Sequence, residues 1–411
     1  MMTKFLFTLI MLFPLGLSSQ SIDKRALDVL VERAKETHSS ALVIYHDDKL
    51  ILNQCFDDNY SPLESMSATK SFVNLGVGLL LTHGKIKSID EPVHRFYPEW
   101  NKGIKKDVTI RHLLNHTSGI QSQRYTSEIY SSPDYVKLAL DADITDNPGS
   151  KFFYNNKAVN LLAGIIEKAS GMRMDKYIHQ YIFKPLEIQN YTWLTDAFLF
   201  NSRGKYDSAF LEKGNPICMA ELIIKADDMA KVGLLVLHRG SWKGMQIINE
   251  SWFDESMKPG QPYVPTNGLL WWLVHDPAIS YLTFDDHNIQ KLQQVGLKDT
   301  LINDLKKVTG RYQNDIDFWN AIDTLESVKK MGGWTRLRDL LFNKSYFDNI
   351  YTFVTNDADI VGFAARGYLG QRMTIFPQKK LVVVRMISTR NARSPDDSFY
   401  DFDILSYQLV K

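Results

Sequence analysis

Cysteine is almost absent from this chain: among 411 residues only Cys55 and Cys218 carry a thiol. That excludes a disulfide scaffold. It leaves open one bridge between them, or two separate buried thiols acting as small hydrophobes. Histidine and cysteine nowhere cluster with metal-ligand spacing, so no metal site and no cofactor are expected. Net charge is also lacking, since 48 basic residues against 47 acidic ones leave +1. A nucleic-acid partner would need a basic footprint that the chain does not have. The run Lys102-Gly103-Ile104-Lys105-Lys106 reads as a solvated loop. There is no internal repeat and no low-complexity stretch. Beyond the N-terminus no apolar run is long enough for a membrane helix. What is there is an ordinary globular composition, 44% hydrophobic and 23% charged, enough for one large core or two domains.

Residues 1–20 read as a secretory signal: Lys4 is a basic start, Phe5 to Leu17 is apolar, and Gly16, Ser18 and Ser19 are small. The alternative is a retained N-terminal anchor. No cysteine near residue 20 offers a lipid attachment point. The expectation is a secreted or periplasmic protein with no stable membrane span once the signal is removed.

Within the body of the chain, Ser67-Ala68-Thr69-Lys70 stands where an apolar helix begins, with Phe72, Val73, Leu75, Val77, Leu79, Leu80 and Leu81 following and Gly84 after the end. Residues three apart share a helix face. Lys70 is therefore predicted beside the Ser67 hydroxyl, near the positive end of the helix dipole. A base in reach and a field favouring negative charge can turn a serine into a nucleophile. The spacing alone is weak, because Ser21/Lys24, Ser202/Lys205 and Ser327/Lys330 share it and a solvated helix start explains each of those. Only Ser67 opens a strongly apolar helix.

The coarse pattern puts strands at both ends and helices between. Residues 22–38 read as a helix; Ala41 to Tyr45 and Lys49 to Cys55 read as a hairpin. Helices are expected around Val159 to Ala169, closed by Gly171, and around Met229 to Leu237, closed by Gly240. Strands are expected over Leu269 to Val274, Phe363 to Leu369, Arg372 to Phe376 and Leu381 to Ile387, with a last helix near Ser398 to Leu409. The fold class is α/β (α+β). An antiparallel sheet is built from residues 21–66 and 351–411, and residues 67–276 form a mainly helical lobe. Residues 277–350 break the rhythm and read as a helical insertion, either a surface decoration or a lid over the inter-lobe groove.

Two further segments complete the set. Tyr154-Asn155-Asn156 precedes a helix, where asparagine suits an N-cap, although Tyr312/Asn314 shows that Tyr-x-Asn recurs. Gly367-Tyr368-Leu369-Gly370-Gln371 lies on a late strand, where glycine often marks close approach by a ligand or another backbone. Other stretches join them in order. These are Gly84-Lys85-Ile86 with Asp90-Glu91-Pro92-Val93, Thr109 to Gly119 including His116-Thr117-Ser118-Gly119, Leu161-Leu162-Ala163-Gly164, Leu270-Trp271-Trp272, and Gly370-Gln371 before Pro377. Taken together the chain resembles the β-lactamase-related serine hydrolase family, which includes class C β-lactamases, D-alanyl-D-alanine carboxypeptidases, esterases and small amide hydrolases.

The resemblance implies a β-lactamase/transpeptidase-like fold and no cofactor. By position, Ser67 corresponds to the acylated nucleophile, Lys70 to its proton-accepting partner, Tyr154 to the family's tyrosine and Asn156 to the amide that holds substrate. The backbone N–H groups of Ser67 and Tyr368 correspond to the oxyanion hole. His116-Thr117-Ser118-Gly119 reads as structural. The chain departs from the β-lactam-directed members at Ala365-Arg366-Gly367, where they carry Lys-Thr-Gly or His-Thr-Gly. Gly367 still allows a close backbone, and Arg366 either replaces the lost cation as a carboxylate contact or points to solvent. The expected substrate is a small ester or amide. The alternatives are a β-lactamase or D-Ala-D-Ala carboxypeptidase, and a non-catalytic binding or scaffold protein on the same fold.

Overall fold

The computed structural model describes residues 21–57, 60–123, 125–202, 207–277, 282–294, 296–313, 315–337, 340, 355–356 and 358–411. The expected signal segment, 1–20, lies outside the described residues, as does much of 338–354.

The two ends of the chain build one sheet. Strands β1 (Ala41–His46), β2 (Lys49–Cys55), β3 (Trp272–His275), β4 (Ile360–Gly367), β5 (Gln371–Phe376) and β6 (Leu381–Met386) lie in the order β2-β1-β6-β5-β4-β3, every pair antiparallel. Strand β6 is central and buried along its whole length, which is why it reads Leu-Val-Val-Val without polar alternation. Its side chains part to two faces. Val382 and Val384 join the core that includes the helices, whereas Leu381 and Val383 pack with Leu30, Ala34 and Phe402. Those last three come from the terminal helices α1 (Lys24–Glu36) and α4 (Phe402–Tyr407).

The other face carries the helical lobe. Helix α2 (Thr69–Thr82) is buried from Thr69 through Leu80, so its near-continuous apolar sequence reflects a helix enclosed on all sides. Helix α3 (Ala226–Leu237) lies against β5 and β6 at close range; a Cβ on its Gly233 would meet Val382 Cγ1 at 2.6 Å. The sequence pattern and the structure differ in several places. The strand expected over Phe363 to Leu369 runs over Ile360–Gly367 and gives way to a turn at Tyr368–Gly370, because Leu369 adopts a left-handed φ of 62°. The strand expected from Leu269 starts only at Trp272, because Leu270 adopts a left-handed φ of 60°. The last helix is shorter, Phe402–Tyr407, since Phe399 is left-handed as well. Within 277–350 the expected helices are joined by short strands: Leu282–Phe284 pairs with Gly310–Tyr312 and with Thr355–Asn356. Strands of two or three residues leave almost no periodic signal. This segment packs around its own apolar cluster, including Phe284, Ile302, Phe318 and Val328.

Candidate active site

Ser67 sits in a tight turn, Met66–Ala68, immediately before α2. The approach to that turn is pinned. The Ser65 N–H donates to the Leu222 carbonyl at 2.8 Å, and the Leu222 N–H donates to Thr69 Oγ1 at 3.2 Å. Met66 takes a left-handed φ of 50°, a conformation costly for a residue with a side chain. The result is a half-buried Ser67 at the N-terminus of a buried helix.

Lys70, one turn on, is 2% exposed. Its Nζ lies 3.0 Å from Ser67 Oγ and 2.6 Å from the Met219 carbonyl oxygen. Both partners are neutral. Cys218, close by, is held as a thiol because burial pushes its pKa up, so it adds no compensating charge. Burial therefore dominates and lowers the Lys70 pKa from 10.5 to about 7. An amine that donates one hydrogen to Met219 keeps a lone pair for the Ser67 proton.

The Met219 acceptor is itself fixed. Asn160 Oδ1 accepts from the N–H of Cys218 at 3.0 Å and of Met219 at 3.3 Å, while Asn160 Nδ2 donates to the Asn156 carbonyl at 3.0 Å. One buried asparagine thus ties the segment that holds the lysine's carbonyl partner to the Tyr-x-Asn segment. Asn160 was not singled out from the sequence, and a lone asparagine in a helical stretch carries little signal.

Tyr154 is brought to the same place. Its ring centre is 4.8 Å from Lys70 Nζ, 4.4 Å from the His116 ring and 6.2 Å from Trp272. His116 grips the chain on both sides of Tyr154: its carbonyl accepts from Phe153 N–H at 2.8 Å, and its Nδ1 accepts from Asn155 N–H at 3.1 Å. An acceptor Nδ1 leaves the proton on Nε2. Burial, with a smaller contribution from Lys70, lowers the His116 pKa to about 3 and keeps the ring neutral. Asn155 rather than Asn156 caps the following helix, its Oδ1 accepting from Ala158 N–H at 2.8 Å. The Oδ1 of Asn156 is buried without a hydrogen-bond partner among the described residues.

The opposite wall comes from the end of β4. A Cβ on Gly367 would lie 2.4 Å from the Ser65 carbonyl oxygen and 3.0 Å from Met66 Cβ. Only glycine lets this strand end against the serine turn. Tyr368 follows on the same rim, its side chain 74% exposed. The turn after it is held by buried Arg385, whose Nη1 donates to the carbonyls of Leu369 at 2.7 Å and Gly370 at 3.1 Å. Arg366 lines the cavity beside Ser67, but its Nη2 donates to Asp403 at 2.7 Å. Asp403 also accepts from Thr374 Oγ1 at 2.6 Å. Burial alone would raise the Asp403 pKa, yet Arg366 and Arg372 outweigh it and the pKa falls. Cys55 and Cys218 are both free thiols. Among the described residues no three His, Cys, Asp or Glu side chains converge as metal ligands, and no helix is long and apolar enough to cross a membrane.

Comparison with known proteins gives this geometry a context. The family model described as Beta-lactamase matches residues 27–406. Penicillin-binding protein 4* of Bacillus subtilis is 38% identical over 136 residues, 30% of this chain and 29% of the relative. The aligned segments span between 29% and 60% of the length of this and other curated relatives. Among solved structures, a putative beta-lactamase from Bacteroides dorei superposes with a TM-score of 0.61 at 14% identity, covering 94% of this chain and 98% of that one. A putative 6-aminohexanoate-dimer hydrolase from Bacillus anthracis superposes with a TM-score of 0.59 at 17% identity, covering 92% and 81%. At such identities the likeness is one of fold.

Proposed function

Because the chain belongs to the beta-lactamase family, a family of serine hydrolases, we propose that it hydrolyses a small ester or amide through an acyl-enzyme on Ser67. The observation that carries this reading is the buried Lys70 amine 3.0 Å from Ser67 Oγ. The free amine takes the hydroxyl proton as Oγ attacks the substrate carbonyl. Tyr154, beside the lysine, shares the proton and delivers it to the leaving alcohol or amine. The backbone N–H groups of Ser67 and Tyr368 face the developing oxyanion; losing one such donor typically costs about 10²–10³ in rate. Water then attacks the ester on Ser67, releasing the acid and returning the proton. Asn156, with its uncommitted amide oxygen, is a contact for a substrate N–H.

The choice of a small ester or amide over a β-lactam or D-Ala-D-Ala peptide rests on Arg366. A substrate carboxylate needs a free cation at that wall, and this guanidinium already serves Asp403. Purified protein should label with a fluorophosphonate probe, and Ser67→Ala should not. p-Nitrophenyl esters should turn over faster than a chromogenic cephalosporin. Failure of the folded protein to label would support a non-catalytic receptor on this fold, and faster cephalosporin turnover would support a β-lactamase.

A further inference from the structure

A small cavity lies against the reactive serine, and three of its walls carry polar atoms that the protein leaves unanswered. It is lined by Ser67, Lys70, Ser71, His116, Tyr154, Asn267 and Arg366, with apolar neighbours; the Ser71 hydroxyl already donates to the Leu270 carbonyl. Among the described residues His116 Nε2, Asn267 Oδ1 and Arg366 Nε are buried and have no hydrogen-bond partner. His116 and Asn267 are each 1% exposed, so bulk water does not serve them. Buried polar atoms are nearly always bonded, and each exception calls for an explanation. Three exceptions around one cavity call for a common one.

We propose that this cavity is a binding site for a single water molecule held by His116, Asn267 and Arg366. The inference rests on the reading of Ser67, Lys70 and Tyr154 as the proton-transfer group.

The space open to the centre of a water molecule is about 10 Å³, room for about one water. The chemistry of the three atoms suits water in particular. His116 Nδ1 accepts from Asn155, so Nε2 carries a hydrogen and donates. Arg366 can only donate; its Nη2 bonds Asp403, and its buried Nε–H is the donor without a partner among the described residues. Asn267 Oδ1 accepts. A water oxygen takes the two donated hydrogens on its lone pairs and gives one hydrogen to Asn267. Its second hydrogen remains for a hydroxyl oxygen of the same cavity, Ser67 or Tyr154. A halide would suit the two donors but not the amide oxygen. Leaving three buried polar groups unsatisfied costs far more than immobilising one water. Accepting from a guanidinium polarises the water, so its remaining O–H supports negative charge on the serine or tyrosine oxygen during proton transfer. His116, read from the sequence as structural, becomes a positioning residue that acts through this water and through its grip on Tyr154.

The test is a crystal structure of the wild-type protein at about 1.5 Å, with turnover of a p-nitrophenyl ester by two variants. The wild type should show one peak within about 2.7–3.2 Å of His116 Nε2, Arg366 Nε and the Asn267 amide. Asn267→Leu keeps the side-chain shape but lacks the acceptor; the peak should vanish and kcat fall about tenfold, with little change in KM. Asn267→Asp keeps an acceptor and should retain the peak and most of kcat. No peak in the wild type, a peak that gives an anomalous signal after a bromide soak, or Asn267→Leu turning over like wild type would each overturn the water site. So would Asn267→Asp as slow as Asn267→Leu, because an acceptor of the same shape would then be in place without restoring the rate. Failure of the hydrolase reading looks different: the wild type itself would not label at Ser67, whatever the density shows.

Discussion

The buried amine of Lys70 makes the most exacting prediction. Its pKa of about 7, against 10.5 in a free chain, means that about half the molecules hold a free base at pH 7, where an ordinary lysine would offer roughly 3 in 10,000. Burial thus raises the supply of base about a thousandfold, and the protein carries the cost. A pKa held at about 7 instead of 10.5 corresponds to a cost on the order of 5 kcal/mol. The sign follows from proton uptake. Above pH 10.5 the amine is neutral folded and unfolded, and nothing is lost. As pH falls from 10.5 to 7 the unfolded chain takes a proton that the native state refuses, so stability declines by about 1.4 kcal/mol per unit. Below pH 7 both states are protonated and the full penalty stands. Lys70→Met removes the group and with it this slope. Urea unfolding at pH 6, 8 and 10 should therefore find the variant more stable than wild type by several kcal/mol at pH 6 and nearly equal to it at pH 10. Fluorophosphonate labelling of the wild type should rise about tenfold per unit below pH 7 and level off above it, and Lys70→Met should lose at least about 10² in labelling rate. A labelling midpoint near pH 10, or two stability curves that run parallel, would remove the lysine from the role of base.

Other residues give shorter tests. Gly367→Ala would drive a Cβ into the Ser65 carbonyl at 2.4 Å; it should cost about 1–3 kcal/mol and slow labelling of Ser67 more than tenfold, and an unaffected rate would separate the β4 end from the reactive serine. Asn160→Ala orphans the Cys218 and Met219 N–H groups and should destabilise by about 1–3 kcal/mol with a fall in kcat. Asn160→Asp keeps the acceptor but turns an oxygen toward the Asn156 carbonyl and buries a carboxyl, so it should gain on Asn160→Ala only at low pH, where a protonated carboxyl can donate; no gain there would argue against the clamp. Because Cys218 is 0% exposed and both thiols are free, maleimide should modify Cys218 only after unfolding, and a reducing agent should leave Tm unchanged. A reductant-dependent Tm would contradict the free thiols.

The parts of the fold legible in sequence are those where one interaction type repeats. Strand β6 announces itself because burial on both faces demands consecutive apolar residues, Leu381 to Val384, and α2 does so because it is enclosed on every side. What stayed hidden are single polar side chains whose partners are backbone carbonyls far along the chain. In the apolar run of α2, Ser71 Oγ donates to the Leu270 carbonyl at 2.8 Å and Asn74 Nδ2 to the Leu269 carbonyl at 2.7 Å. Those bonds pin the loop in which Leu270 is left-handed, the conformation that delayed β3. Asn74 Oδ1 meanwhile accepts from the indoles of Trp271 at 3.0 Å and Trp252 at 3.1 Å. Arg385 acts in the same way on the carbonyls of Leu369 and Gly370, and Asn160 does the converse, accepting from the backbone N–H groups of Cys218 and Met219. A backbone carbonyl has no residue identity, so no pairing of residue types in the sequence points to it. The one usable signal was negative: a serine and an asparagine inside a helix otherwise apolar must find partners or destabilise it. Ser67 is positioned less by its neighbours in the motif than by loops fastened, backbone group by backbone group, to a buried helix and a central strand. Substitutions at those fasteners should disturb the reaction without touching any group that meets the substrate.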